Sequence, residues 1–101
     1  MVKHIILWTL KSELSEEKKV QIKQGIKEGL EGLKDKIHGI VEIKVNATGR
    51  LCSSNADLML DSTFESEEAL KAYAVHPAHV EVANTKVSPY TASRSCLDFK
   101  I

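Results

Sequence analysis

Cysteine, excess charge of either sign and long hydrophobic runs are all scarce in this chain of 101 residues. Its two cysteines, Cys52 and Cys96, lie far apart and form no Cys-x-x-Cys pair, so a disulfide framework is not indicated. Fourteen Lys and Arg balance fourteen Asp and Glu, so no net field attracts nucleic acid or anionic lipid. No apolar stretch approaches the roughly 20 residues that cross a bilayer. We therefore expect neither nucleic acid nor a membrane as a partner.

Glycine-rich phosphate loops and secretory signals are also missing. Gly25, Gly29 and Gly32 fall inside a helical pattern and not between a strand and a helix, so no nucleotide site and no cofactor is predicted. Met1 leads directly into a strand-like run without the pattern of a signal peptide. We therefore expect a cytoplasmic protein with reduced thiols.

What the sequence has is the composition of an ordinary globular domain. Hydrophobic residues make up 43% and charged residues 28% of the chain, far from the composition of disordered proteins. A chain of this length buries enough surface for one core but not for two. We therefore expect residues 1–101 to form a single domain.

Four segments have the residue types and the alternation of β-strands. They are His4 to Leu10, Ile40 to Asn46, Asp57 to Phe64 and Ser93 to Ile101. The first is nearly apolar on both faces, which is typical of a central strand. The second places Val41, Ile43 and Val45 on one face and polar residues on the other, which indicates a half-exposed edge strand.

Two helical regions separate these strands. Ser15 provides an N-cap for a long amphipathic helix that is predicted to end near Gly39. Its expected core-facing residues are Val20, Ile22, Ile26, Leu30, Leu33 and Ile37. The second region is interrupted at His76-Pro77, because proline disfavours the helical conformation at the residue before it. A short helix from Ala78 to about Val87 follows.

The order βαββαβ predicts an α+β, ferredoxin-like fold, with helices on one face of a four-stranded antiparallel sheet and the first and third strands in the middle. The first strand has Ile5 and Leu7 on one side and Ile6, Trp8 and Leu10 on the other. Either side would expose an apolar patch if it were left in water. We therefore expect a second copy to cover the open face through a twofold contact, giving a homodimeric α+β barrel.

Three segments carry a further signal when they are taken together. They read Val2-Lys3-His4-Ile5-Ile6-Leu7, Phe64-Glu65-Ser66-Glu67-Glu68-Ala69-Leu70 and Tyr73-Ala74-Val75-His76-Pro77-Ala78-His79-Val80. In this combination the chain resembles, over essentially its whole length, the stress-responsive dimeric A/B barrel family. The resemblance implies a homodimer whose two sheets face each other, and it implies no particular reaction, since most members are stress-associated proteins without an assigned one.

One plant member of this family is a polyketide cyclase, and three of its functional residues match this chain. The match implies that His79 acts as a general acid/base with His4 and Tyr73 beside it. Leu58 and Ile26 stand where the cyclase has a further pocket histidine and a second pocket tyrosine, which argues against polyketide cyclisation itself. The family pocket lies between sheet and helices, so the resemblance implies a mainly apolar lining that includes His4, Ile6, Trp8, Leu58, Leu60, Ser62, Tyr73, His79 and Val82.

The sequence leaves the role of His4, Tyr73 and His79 open. All three can be structural: a buried strand histidine, a core aromatic residue and a histidine on a short helix. If they act chemically, a histidine can remove or return a proton at pH 7, and a phenol or second histidine can polarise a carbonyl. The expected enzyme is then a cofactor-independent cyclase, isomerase or lyase that binds a small apolar or aromatic ligand. The alternatives are a non-enzymatic stress or ligand-carrier protein and a cofactor-independent monooxygenase.

Metal and thiol chemistry have weak signals. His76 and His79 stand three residues apart and could offer two metal ligands, but zinc sites need at least three protein ligands and no third is recognisable, so no metal is predicted. Neither Cys52 nor Cys96 has the base or the electropositive setting that activates a thiol. Both are expected to be passive.

Overall fold

The computed structural model describes all 101 residues, Met1–Ile101. The strands are β1 (Val2–Leu10), β2 (Ile40–Asn46), β3 (Leu58–Phe64) and β4 (Thr91–Lys100), and the helices are α1 (Glu16–Glu31), α2 (Glu67–Val75) and α3 (Pro77–Val82). A 3₁₀ turn (Gly32–Asp35) follows α1, and a π-helical turn (Ala83–Val87) follows α3. The predicted order βαββαβ is confirmed, with the second helical region divided at Pro77.

The four strands form one antiparallel sheet in the order β2-β3-β1-β4, with the first and third strands in the middle as predicted. Because side chains alternate along a strand, β1 divides its residues between the two faces. His4, Ile6 and Trp8 are buried on the face that the helices cover, whereas Ile5 and Leu7 lie on the opposite face and are more accessible. The α+β, ferredoxin-like fold is confirmed.

Polar caps fix where the helices begin. The Ser15 hydroxyl accepts a hydrogen bond from the backbone N–H of Lys18, and Ser66 does the same for Ala69. The third helix uses a histidine instead, since Nδ1 of His76 accepts from the backbone N–H of Ala78, with Pro77 in the first turn. Caps of this kind satisfy N–H groups that have no partner inside the helix. His76 therefore has a structural role.

The core fills the layer between the helices and the sheet. Ile26 of α1, Leu60 and Phe64 of β3 and Tyr73 of α2 are almost completely buried there. Burying one large apolar side chain contributes about 1.5–3 kcal/mol. These contacts hold α1 and α2 against the central strands.

The edge strand β2 differs from the prediction at its start. Its pairing with β3 shifts register between Ile40 and Glu42, so that Ile40 lies opposite Phe64. Ile40 is consequently buried and Val41 is 40% exposed, although Val41 was expected to share the inner face with Ile43 and Val45. The bulge reverses the alternation at this point, because an extra residue in one strand moves its neighbours to the other face.

Helix α1 also differs from the prediction, because it ends at Glu31 and the 3₁₀ turn carries Leu33 into the core. Val20 is 68% exposed and not core-facing as expected. The buried stripe consists of Ile22, Ile26 and Leu30, spaced four residues apart. Val20 precedes this stripe by two residues, which is about 200° around an α-helix.

The face of the sheet opposite the helices carries an apolar patch, here called the open-face patch. It consists of Ile5, Leu7, Met59, Leu97 and Phe99, which the strand register places side by side. Leu97 is 62% exposed and Phe99 42% exposed. Strand β4 lies at the sheet edge, and almost all of its residues are exposed. None of the helices combines the length and apolar character needed to span a bilayer.

Candidate active site

A cavity of about 770 Å³ lies on the helix-covered side of the sheet, between β1 and β4 on one side and α2, α3 and the π-helical turn on the other. Twelve of its 21 lining residues are hydrophobic. The polar residues on its β1 and β4 walls are His4, Thr91, Arg94, Cys96, Asp98 and Lys100. The site is thus an apolar cavity with a polar wall, which is the usual form of a small-molecule site.

Six of the nine residues expected in the lining do line this cavity, namely His4, Ile6, Trp8, Leu60, Tyr73 and His79. Leu58, Ser62 and Val82 do not line it, contrary to expectation. The Ser62 hydroxyl is fully buried in the sheet, where it donates to the carbonyl of His4 over 2.7 Å. Leu58 is a core residue, and Val82 packs toward Gly29 of α1.

The rings of Tyr73 and His79 are in contact, with centroids 4.2 Å apart and planes tilted by 37°. Nδ1 of His79 lies 3.1 Å from the backbone carbonyl of Ala74. A carbonyl only accepts hydrogen bonds, so Nδ1 carries the proton and Nε2 keeps a free electron pair. Burial lowers the pKa of His79 and outweighs the Ala74 contact, which raises it. The ring is therefore neutral at pH 7 and can accept a proton at Nε2.

The Tyr73 hydroxyl is buried and has no hydrogen-bond partner. Burial raises the pKa of Tyr73 well above its ordinary value, so the phenol stays protonated. Its ring packs against Phe64 on the core side, with centroids 4.8 Å apart. A buried polar group without a partner costs about 1–3 kcal/mol. The hydroxyl is thus an unsatisfied donor on a residue that lines the cavity.

His4 is held by a carboxylate that was not among the predicted site residues. The register pairs His4 with Asp98 on the same face, and Oδ1 of Asp98 lies 2.5 Å from Nδ1 of His4. Partial burial favours a higher pKa for Asp98, but the hydrogen bond with His4 and the charges of His4 and Arg94 hold it below its usual value. The carboxylate is ionised at pH 7 and accepts the Nδ1 proton, which leaves Nε2 of His4 for a ligand.

Cys96 lies beside this pair. Its Sγ is 3.4 Å from Oδ1 of Asp98, to which the thiol donates, and 3.8 Å from Nδ1 of His4. Burial, the Asp98 hydrogen bond and the Asp98 charge raise the pKa of Cys96. The thiol is therefore neutral in this structure.

The alternation of the last strand held part of the signal that would have found Asp98 and Cys96. These residues lie between the alternating apolar residues of that strand. Antiparallel pairing with the first strand brings those polar residues opposite His4 and Ile6. The exact partner of His4 depends on the turn before β4, which the sequence pattern does not fix.

Comparison with known proteins now places the chain in a family. The family model described as Stress responsive A/B Barrel Domain matches residues 2–101. The chain belongs to this family. The resemblance seen in its three sequence segments is thereby confirmed.

Two relatives of this A/B barrel protein are similar in sequence. The stress-response A/B barrel domain-containing protein HS1 of Arabidopsis thaliana is 34% identical over 87 residues, which cover 81% of this chain and 73% of HS1. A dimeric protein of unknown function and ferredoxin-like fold from Bacteroides fragilis is 31% identical, with a TM-score of 0.91 over 99% of this chain and 95% of the other. The second relative is a dimer.

A third protein shares only the fold. It is the hydroxynitrile lyase of Passiflora edulis, which is 21% identical with a TM-score of 0.74 over 99% of this chain and 92% of the lyase. At this identity the likeness defines the architecture of this A/B barrel protein and not its reaction.

Proposed function

We propose that this A/B barrel protein is a homodimer that binds a small, largely apolar or aromatic carbonyl compound in its cavity and transfers a proton through His79, assisted by Tyr73 and His4. The observation that carries the proposal is the Tyr73–His79 pair. The protonated Tyr73 hydroxyl has no hydrogen-bond partner, and its ring contacts the neutral imidazole of His79, which is the candidate base. The catalytic roles of all three residues are part of this proposal.

The chemistry follows from what each group can give or accept. Nε2 of His79 removes a proton from the carbon next to the ligand's carbonyl group, and the negative charge that develops lies on the carbonyl oxygen. The Tyr73 hydroxyl donates a hydrogen bond to that oxygen, and His4, whose ring is oriented by Asp98, provides a second from Nε2. Donors that are already aimed at a developing charge stabilise it most in a cavity that excludes water. Tyr73 and His4 thus act as donors and His79 as the base.

Asp98 is a positioning residue in this scheme. Its carboxylate accepts the Nδ1 proton of His4, which fixes the orientation of the ring. Asp98 thereby leaves Nε2 of His4 for the ligand.

The same proton transfer serves more than one reaction class. Return of the proton to another carbon gives an isomerase, attack of the carbanion on a second carbonyl gives a cyclase, and loss of a group from the neighbouring carbon gives a lyase. None of these needs a cofactor. A hydroxynitrile lyase shares the fold, so this architecture accommodates lyase chemistry in another protein.

The dimer is the second part of the proposal. An isologous contact through the open-face patch buries exposed Leu97 and Phe99 without creating a new exposed surface. Most of the cavity lining lies on the opposite side of the sheet, and Phe99 is the one patch residue that also lines the cavity. A similar protein from Bacteroides fragilis is dimeric, which supports this arrangement.

The first test is solvent exchange into small carbonyl compounds. A panel of aromatic and aliphatic ketones and aldehydes is incubated with the protein in D₂O, and loss of the hydrogen next to the carbonyl is followed by NMR. We expect exchange with the wild type and its loss in His79→Ala. His38→Ala, which changes an exposed histidine outside the cavity, is the matched control.

Ligand binding is measured beside exchange by thermal stabilisation. Binding without exchange in both wild type and His79→Ala would favour the ligand-carrier alternative. Oxygen consumption with a phenolic compound would favour the monooxygenase alternative. Absence of both binding and exchange would contradict the proposal.

A further inference from the structure

Three different metal-ligating side chains meet on the β1–β4 wall of the cavity. The ligand atoms of His4, Cys96 and Asp98 all lie within 4.8 Å of one another. The strand register explains the grouping, because His4 pairs with Asp98 and Ile6 pairs with Cys96, so that all three share the helix-covered face. The sheet itself, and not a flexible loop, brings the set together.

The spacing of these atoms approaches that of a tetrahedral zinc site. With Zn–N, Zn–O and Zn–S bonds of about 2.0–2.3 Å, neighbouring ligand atoms are about 3.3–3.5 Å apart. Sγ of Cys96 lies 3.4 Å from Oδ1 of Asp98 and 3.8 Å from Nδ1 of His4. The His4–Asp98 distance is 2.5 Å because a proton joins these two atoms. It has to widen by about 0.8 Å to admit the metal.

The structure allows that movement. The Asp98 side chain is 47% exposed and lies on the edge strand, so it can rotate without disturbing the core. His4 is 9% exposed and stays fixed. The adjustment is therefore confined to one accessible carboxylate.

We propose that His4, Cys96 and Asp98 bind one Zn²⁺ per chain. Imidazole nitrogen, thiolate sulfur and carboxylate oxygen form a mixed set that suits zinc, whereas Mg²⁺ and Ca²⁺ prefer oxygen ligands alone. On binding, the Cys96 thiol releases its proton to solvent, and the Nδ1 proton of His4 moves to Nε2. All three residues line the cavity, so the fourth coordination position opens into it. Three protein ligands and one open position are typical of zinc sites that act on a ligand.

One charged neighbour opposes the metal. Arg94 lies on the same face of β4, two residues before Cys96, and no carboxylate within ion-pair distance of its guanidinium is found in the structure. Its positive charge repels a divalent cation. Arg94→Gln is therefore expected to bind the metal a few-fold more tightly at low salt, where charges at the surface are screened least.

The test uses metal salts and the intact protein without any organic ligand. Metal-free protein is titrated with Co²⁺, whose thiolate complexes have a charge-transfer absorption band in the near ultraviolet, and with Zn²⁺ by calorimetry. We expect the band to saturate at one metal per chain. Cys96→Ser is expected to abolish the band and to weaken Zn²⁺ binding at least about tenfold, because the soft ligand is lost. Cys52→Ser removes the only other cysteine and is expected to leave both unchanged.

Asp98→Asn is the second variant. We expect it to bind Zn²⁺ more weakly and to retain the cobalt–thiolate band. Cys96 and Asp98 are exposed residues, so both variants are expected to fold, and circular dichroism is the measurement that checks this. A wild type without the band, or a band that survives Cys96→Ser, would overturn the proposal. His79 and Tyr73 are not ligands of this site, so a negative result here leaves the exchange assay unaffected.

Discussion

The imidazole ring of His79 packs at a tilt against the ring of Tyr73, whose hydroxyl is buried without a hydrogen-bond partner. Burial favours the uncharged form of both groups, since it raises the pKa of the phenol and lowers the pKa of the imidazole. One is left as a donor and the other as an acceptor in a single apolar cavity. This complementarity distinguishes the pair from two core aromatic residues that happen to touch, because a core pair would have the hydroxyl satisfied or absent.

Replacement of Tyr73 by Phe tests whether the hydroxyl contributes to stability or to the exchange reaction. The change removes only the unpartnered hydroxyl, so we expect the free energy of unfolding of the ligand-free protein to be unchanged or to rise by up to about 1–3 kcal/mol. Carbonyl-directed exchange is expected to fall about 100-fold, as for the loss of one oxyanion donor. Urea unfolding and the D₂O assay measure the two effects. Tyr90→Phe, at a half-buried tyrosine outside the main cavity, is the control, and a large loss of stability in Tyr73→Phe would indicate a structural role.

Acid is expected to inactivate the protein through His79. The base must be neutral, and burial, with smaller contributions from His4, Arg94 and His76, places its pKa below 6.5. The exchange rate should therefore be constant at neutral pH and fall only below pH 6.5. The folded-state pKa is lowered, so the unfolded chain binds more protons in the window just below 6.5, and stability also declines there as the pH falls. His79→Gln should reduce that decline and His38→Gln should not, and an activity loss centred above pH 7 would contradict the assignment.

Replacement of Asp98 by Asn tests the positioning of His4. The new amide can either accept the Nδ1 proton or donate to Nδ1, so the His4 ring is no longer held in one tautomer and orientation. Because Asp98 is half-exposed, we expect a stability change below about 1 kcal/mol, together with at least a tenfold lower exchange rate. Nitrogen-15 NMR of the His4 ring reports the tautomer directly. Asp35→Asn, at an exposed carboxylate outside the cavity, is the control, and an unchanged tautomer and rate would exclude this role.

Most of the fold was predictable from the sequence, because the local helix and strand signals agree with the tertiary arrangement. Ser15 caps the first helix and His76-Pro77 divides the second helical region, as predicted, and the doubly apolar β1 is central. The predictions that were wrong lie where the backbone departs from regular strand or helix geometry. A bulge in β2 exchanges Ile40 and Val41, and the 3₁₀ turn ends α1 before Gly39.

The site was accessible to sequence reasoning only in part. His4, Tyr73 and His79 belong to recognisable segments, and the structure places all three in the lining of one cavity. Asp98 and Cys96 join them through strand pairing across more than 90 residues, and pattern alone does not fix such a register. Ser62 and Leu58 alternate with the correct phase, yet they lie too deep in the sheet and core to reach the cavity.

Two glycines should respond in opposite directions to the same substitution. Gly39 has φ +96° and a Cβ added there would lie 2.8 Å from Cβ of Ala69, so Gly39→Ala combines backbone strain with a steric clash. We expect it to lower the free energy of unfolding by about 1–3 kcal/mol. Gly25→Ala lies in α1 with nothing within 4 Å and should raise stability by about 0.5–1 kcal/mol. Urea denaturation measures both, and equal effects would show that the junction between α1 and β2 is not constrained as described.

The proposed dimer is tested most directly at Leu97, which lies in the open-face patch and is 62% exposed in the single chain. In an isologous contact Leu97→Glu buries two carboxylates, one from each copy, and an unpaired buried charge is costly. Light scattering at micromolar concentration should therefore show a dimer for the wild type and a folded monomer for the variant. Val75→Glu introduces the same charge at a valine of α2 that is 76% exposed on the helical side, and it should remain dimeric. A buried carboxylate at Leu97 would weaken any contact that covers this residue. If both variants stay dimeric, the dimer contact therefore does not use the open-face patch.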